Sequence, residues 1–309
     1  MRRNDTEILV MPNKYVNELR EMPEGKINSM KAHLKNLVAR YTIGNTKIVL
    51  HSDLHKRTLQ QKLTPALGNL VPSLKDELEY ALTKEITECS KWTPVRVNDL
   101  VVRLVARISA RVFVGPDLCR NDEWLYISIH FTKNLGWTRN LLRLFPSPFR
   151  GIAAYFMPSY WRIQQNVTAA QRLLGPIIRD RRHEAAHNPA WDEPNDFLQW
   201  MMNNARQDEG HPDDLAHRQL LVSLGAIHTT SMQVSHFMYD LCTYPEYIED
   251  LRQEIISTIR EDSGFKKTTL NKMRKLDSFL KESQRMNAPF TCEFSLPGAF
   301  WFLSYRQPN

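Results

Sequence analysis

Glu282 and Arg285 stand three residues apart in the run Lys281-Glu282-Ser283-Gln284-Arg285-Met286-Asn287-Ala288-Pro289. At that spacing two side chains share one face of a helix, so a helix here presents a carboxylate to a guanidinium. Taken alone, such a pair is a solvated surface contact worth roughly 0.2–0.5 kcal/mol. Its neighbours decide whether it is more than that. Apolar residues recur at helical spacing in 83–86, 125–129, 171–182 and 197–202, which makes the chain mainly α. With 309 residues, 42% apolar and 24% charged, it can bury a sizeable core as one or two domains. Proline clusters in 145–149 and 157–161 predict loops.

Three stretches precede the pair in a fixed order. Ser223-Leu224-Gly225-Ala226-Ile227-His228-Thr229-Thr230-Ser231 carries small residues that let a backbone pass close to a flat group, and a threonine able to bond the preceding turn's carbonyl. By itself it also fits a small-residue patch where two helices cross. Residues 241–255 follow, with a turn at Pro245 and an amphipathic restart, and Leu276-Asp277-Ser278-Phe279-Leu280 leads into Glu282. Together these stretches resemble the cytochrome P450 family of haem-thiolate monooxygenases. Glu282 and Arg285 match the structural ion pair of the helix before that family's haem loop. Residues 223–231 match its oxygen-binding stretch. By resemblance Thr229 relays protons to bound oxygen, Thr230 supports it, and Gly225 and Ala226 make room for the cofactor. His228 stands where the family usually has an acid, a change associated with fungal members. A histidine still passes protons near neutral pH.

Residues 54–65 resemble the helix whose basic residue meets a haem propionate, with Arg57 the candidate and Lys56 and His55 in reserve. The family's tryptophan is replaced by Asp53. A planar guanidinium suits a carboxylate; a solvated basic helix start fits the same residues. Gly115 and Cys119 imitate the Gly-x-x-x-Cys of the haem loop, but Phe113 is displaced by one, Asn121 replaces the final glycine, and the pair precedes the threonine helix. Cys89, Cys242 and Cys292 have Glu85, Met238 and Ala288 where the glycine belongs. No cysteine therefore takes the metal ligand's place, and the metal-ligand set is empty.

Residues 7–19 resemble a strand and helix start that full-length members reach after a membrane anchor. After Pro289 nothing matches the family. The expectation is an incomplete cytochrome P450 fold, 1–290 a partial domain and 291–309 an aberrant tail, lacking the N-terminal anchor and, through a premature ending by a retained intron or frameshift, the haem-loop region.

The resemblance implies a fungal-type haem-dependent monooxygenase, truncated, whose intact form hydroxylates an apolar secondary metabolite such as a terpenoid. Intact members hold haem b, receive electrons from NADPH–cytochrome P450 reductase, and sit on the cytosolic face of the endoplasmic reticulum. This chain, without the ligand cysteine, is expected to be inactive alone and not to bind haem stably. It has no apolar run of about 18 residues to anchor it, which leaves it cytosolic or of unassigned location. The net charge of +7 fits a basic face of Lys266, Lys267, Lys272, Arg274, Lys275 and Lys281 toward an acidic reductase, or plain solubilising surface. No groove-reading motif points to nucleic acid. The alternative is a non-catalytic helical remnant that binds protein through that face. The aromatic segment 145–161 matches the place where such enzymes touch membrane, and core packing fits the same aromatics.

Overall fold

The computed structural model of the chain describes residues 2–3, 6–23, 26–86, 91–206, 208–288, 292–295 and 301–305. Cys89 and the 290/291 boundary lie outside them. The strands are β1 (Arg2–Arg3), β2 (Thr6–Pro12), β3 (Cys292–Ser295) and β4 (Trp301–Tyr305). The helices run α1 (Val16–Glu21), α2 (Ser29–Asn36), α3 (Ala39–Thr42), α4 (Lys47–Leu50), α5 (Leu54–Thr58), α6 (Thr64–Glu85), α7 (Val97–Phe113) and α8 (Pro116–Cys119). They continue as α9 (Asp122–Leu142), α10 (Arg150–Tyr155), α11 (Pro158–His187), α12 (Phe197–Asn204), α13 (Pro212–Thr243), α14 (Glu246–Glu261), α15 (Lys267–Lys272) and α16 (Arg274–Met286). Three of the four stretches with helical periodicity fall wholly on helices and the fourth, 83–86, overruns the end of α6 by one residue at Ile86, so the mainly α expectation holds.

The chain divides into two compact units. The larger comprises 53–129 and 169–289. At its centre α7 and α13 pack along one another, and the buried line Ser223, Ile227, Ser231 and Ser235 on α13 repeats every four residues, one face of a helix. Ser235 Oγ donates to Asn98 Oδ1 at 3.3 Å and the Gln219 amide donates to the Phe113 carbonyl, stitching α13 to both ends of α7. The chain enters α13 through His211, whose side chain accepts from the Asp213 N–H, with Pro212 at the first helical position and Asp213 and Asp214 in the first turn. A proline loses nothing there, and carboxylates favour the positive helix end.

The smaller unit comprises 1–52, 130–168 and 290–309. Its sheet has the order β1-β2-β4-β3, with β2 parallel to β4 from Ile8↔Trp301 to Pro12↔Tyr305, and β3 antiparallel to β4. The strand and helix start read in 7–19 are β2 and α1. Its buried cluster joins Val38, Leu142, Ala154 and Met157. One loop expectation is corrected. In 157–161 only Met157 is outside a helix, and α11 begins at Pro158, because proline with its fixed φ and missing N–H opens a helix as readily as it breaks one.

Candidate functional site

Gly225 and Thr229, four apart, lie on the face of α13 opposite Ile227. The Thr229 hydroxyl donates to the Gly225 carbonyl at 2.6 Å. That bond satisfies the hydroxyl within the helix and competes for the carbonyl with the helical ladder. A Cβ built on Gly225 meets no heavy atom within 4 Å, and the residue is exposed. Ala226 is half-buried and Thr230 exposed beside them. His228 points elsewhere: its Nε2 lies 3.2 Å from the Ile129 carbonyl of α9. A carbonyl only accepts, so Nε2 carries the proton. His228 thus ties α13 to α9.

Arg57 is buried to 11% side-chain exposure among protein acceptors. One amino group bonds the Asp53 carboxylate; the other donates to the Asn204 carbonyl at 3.0 Å and to Glu209 Oε2 at 2.8 Å. Glu209 Oε2 also accepts from the Arg206 N–H at 3.0 Å. Arg57 therefore holds Asn204, the last residue of α12, and Glu209 together. His55 Nδ1 lies 3.5 Å from Arg218 Nη1, and burial first, then the Arg218 charge, pushes its pKa below the ordinary imidazole value. Lys56 is exposed. Arg218 is 11 residues before Thr229 on α13, roughly 16 Å along the axis. The fold does not bring the candidate propionate group and the candidate proton relay into contact.

Cys119 is unsuited to ligate a metal. Cys119 is 1% exposed and its thiol donates to the Pro116 carbonyl at 3.2 Å. Burial, then the nearby Glu77 carboxylate, pushes its pKa up to about 11, so it is not a thiolate near neutral pH. Cys242 is exposed at the end of α13. The side chain of Cys292 and all of Cys89 lie outside the described residues. Gly115 has its own explanation: it sits at φ +83°, and a Cβ there would lie 2.7 Å from Asp196 Oδ2. Asp196 is held by Arg181 through two bonds of 2.9 and 2.7 Å and caps α12 by accepting from the Gln199 N–H. The Gly-x-x-x-Cys resemblance thus belongs to a buried ion pair.

Glu282 and Arg285 form the expected forked pair on α16, Nε to Oε2 at 2.8 Å and Nη2 to Oε1 at 2.6 Å. Their side chains are 60% and 39% exposed. They line a cavity of about 930 Å³ with Tyr244, Tyr247, Phe279 and Ser283. Phe279 packs edge-on against Phe237 of α13 at 5.4 Å, and Gln233 of α13 donates to the Asn287 carbonyl at 3.0 Å. The start of α16 is held by Glu254, whose two oxygens accept from the Lys275 and Leu276 N–H groups at 2.9 Å each. Sequence reasoning misses Glu254 and Glu209, because their side chains reach partners 21, 22 and 152 positions away, on Lys275, Leu276 and Arg57. The basic face is partly neutralised: Lys272 bonds Glu261 and Asp262, Lys275 lies 3.4 Å from Asp250, and Lys281 bonds Asp277 at 2.6 Å.

In the smaller unit, Phe149, Ile152, Tyr155 and Phe156 are 58–77% exposed. Tyr155 meets Phe156 and Trp161 edge-on at 5.6 and 5.5 Å. Among the described residues, no helix is long and apolar enough to cross a membrane.

The chain is 54% identical over 295 residues to a protein of Emericella nidulans named cytochrome P450 monooxygenase AN1598, covering 95% of this chain and 55% of that one. It is 41% identical to an ent-kaurene oxidase of Gibberella fujikuroi, over 96% of this chain and 57% of that one. The chain thus spans a little over half the length of these relatives. The solved structure of retinoic acid-bound cyanobacterial CYP120A1 superposes with a TM-score of 0.66 over 96% of this chain and 65% of that one, at 18% identity, a likeness of fold. The cytochrome P450 family model matches residues 17–294, and the chain belongs to that family.

Proposed function

We propose that this chain supplies the oxygen-side helix and the substrate-facing surface of a fungal haem-dependent monooxygenase that hydroxylates an apolar secondary metabolite such as a terpenoid. The observation that carries this reading is the Thr229–Gly225 bond beside open space. Gly225 and Ala226 would flank the haem face, and the space at Gly225 fits a flat group. Haem, when bound, supplies the activation of dioxygen. What this chain's residues do is narrower. Thr229 holds its hydroxyl on a backbone carbonyl, from which one χ1 rotation turns it outward to deliver a proton within hydrogen-bond reach. His228, held on Ile129, fixes the helix instead of relaying. Thr230 is the reserve hydroxyl.

Arg57 fits a propionate less well, being met by the Asp53 and Glu209 carboxylates. Cys119, buried and with its pKa raised to about 11, offers no thiolate near neutral pH. Electrons would come from NADPH–cytochrome P450 reductase, with Lys266, Lys267 and Arg274 the members of the basic face that no ion pair engages among the described residues. The exposed aromatics on and beside α10, Phe149, Tyr155, Phe156 and Trp161, supply an apolar contact for the cytosolic face of the endoplasmic reticulum, where Tyr and Trp suit the interface. The names of the relatives, ent-kaurene oxidase among them, support the substrate class.

The test is a chimera in which this chain is continued by the C-terminal part of the Emericella nidulans relative. Thr229→Ala should uncouple oxygen consumption from product formation about ten-fold or more, and Thr230→Ala far less. Equal coupling in the parent and Thr229→Ala overturns the assignment. The chain alone should give no carbon-monoxide spectrum of thiolate-ligated haem.

A further inference from the structure

The end of α11 reads His183-Glu184-Ala185-Ala186-His187. Histidines four apart share a helix face, the spacing by which His-Glu-x-x-His segments hold zinc. Here the two rings stack with centroids 4.3 Å apart and planes at 21°, and both residues are exposed. His187 Nδ1 lies 2.9 Å from the His183 carbonyl oxygen. That acceptor places the proton on Nδ1 and leaves the Nε2 lone pair for a cation, the arrangement by which a backbone carbonyl orients a metal-binding imidazole.

The surroundings favour positive charge. His187 is the last residue of α11, where carbonyls without helical partners carry the negative end of the helix dipole. Glu184 adds a carboxylate in the same turn, positioned by the Asn188 amide at 3.2 Å. Arg181 is paired with Asp196 and Arg182 donates to the Gly210 carbonyl, while exposed Arg179, one turn before His183, is the cation on this face that the ion must tolerate.

We propose that His183 and His187 form a two-imidazole site for a borderline divalent transition metal, with Zn²⁺ as its ligand, independent of the haem chemistry. Imidazole nitrogen suits this class of ion, with zinc at about 2.0–2.1 Å. Among the described residues no third His, Cys, Asp or Glu completes a cluster. Water therefore fills the remaining positions, and binding is reversible. With His187 held on the His183 carbonyl, the exposed His183 ring is the one that swings to bring its nitrogen to the ion at His187 Nε2.

Calorimetric titration of the untagged chain with ZnCl2 at neutral pH tests this. One saturable site is expected. His183→Ala and His187→Ala should each weaken it about ten-fold or more, since a single imidazole then carries the ion. Glu184→Gln should leave it nearly unchanged. Thermal melts of the metal-free variants should match the parent, because both rings are exposed. Absence of saturable binding, or binding unaltered in either alanine variant, overturns the proposal. A loss in Glu184→Gln as large as in the histidine variants also overturns it, by making the carboxylate a ligand.

Discussion

A Cβ atom added to Gly115 would stand 2.7 Å from Oδ2 of Asp196, at a backbone φ of +83° that side chains other than glycine's rarely adopt. Gly115→Ala must therefore both strain the backbone and push the carboxylate away from Arg181. The expected loss is about 1–3 kcal/mol in denaturant unfolding. Asp196→Ala should cost about 3–5 kcal/mol, because it leaves the Arg181 charge buried without its partner. A neutral Gly115→Ala would show that the pair can shift at no cost.

Glu254 should matter more to stability than its half-buried position suggests. Its carboxylate takes the first N–H groups of α16 at 2.9 Å, as an N-cap does. Glu254→Ala should cost about 1–2 kcal/mol, and amide exchange should quicken first at Lys275 and Leu276. Loss of stability without faster exchange there would place the effect elsewhere.

Arg57 and Glu209 should behave as one unit. Both side chains are about nine-tenths buried and 2.8 Å apart. In a double-mutant cycle, Arg57→Ala and Glu209→Gln should show a coupling of about 1–3 kcal/mol. Additive losses would free Arg57 for a role toward an external carboxylate.

Cys119 sets an alkaline limit. Its folded pKa, about 11, lies above the ordinary thiol value of 9.0. The folded chain therefore holds that proton more tightly, and the resulting stability is full below pH 9 and lost as pH rises toward 11. Unfolding midpoints should fall across that window and fall less in Cys119→Ala. At pH 8, thiol reagents should label exposed Cys242 well before Cys119. Equal labelling rates would contradict the raised pKa.

Much of the site was legible in the sequence because helices make neighbours of residues three and four apart wherever they occur. That periodicity alone put Glu282 beside Arg285, set Thr229 over the Gly225 carbonyl, and placed the long helices. Only the tertiary structure decided what the long-range partners are. Arg57 meets Glu209 across 152 positions, and His228 meets Ile129 across 99. Whether Phe156 packs inward or faces solvent, and whether Gly115 serves a cofactor loop or an ion pair, depends on which surfaces the chain brings together. Those contacts follow from packing across distant segments, which no local spacing encodes.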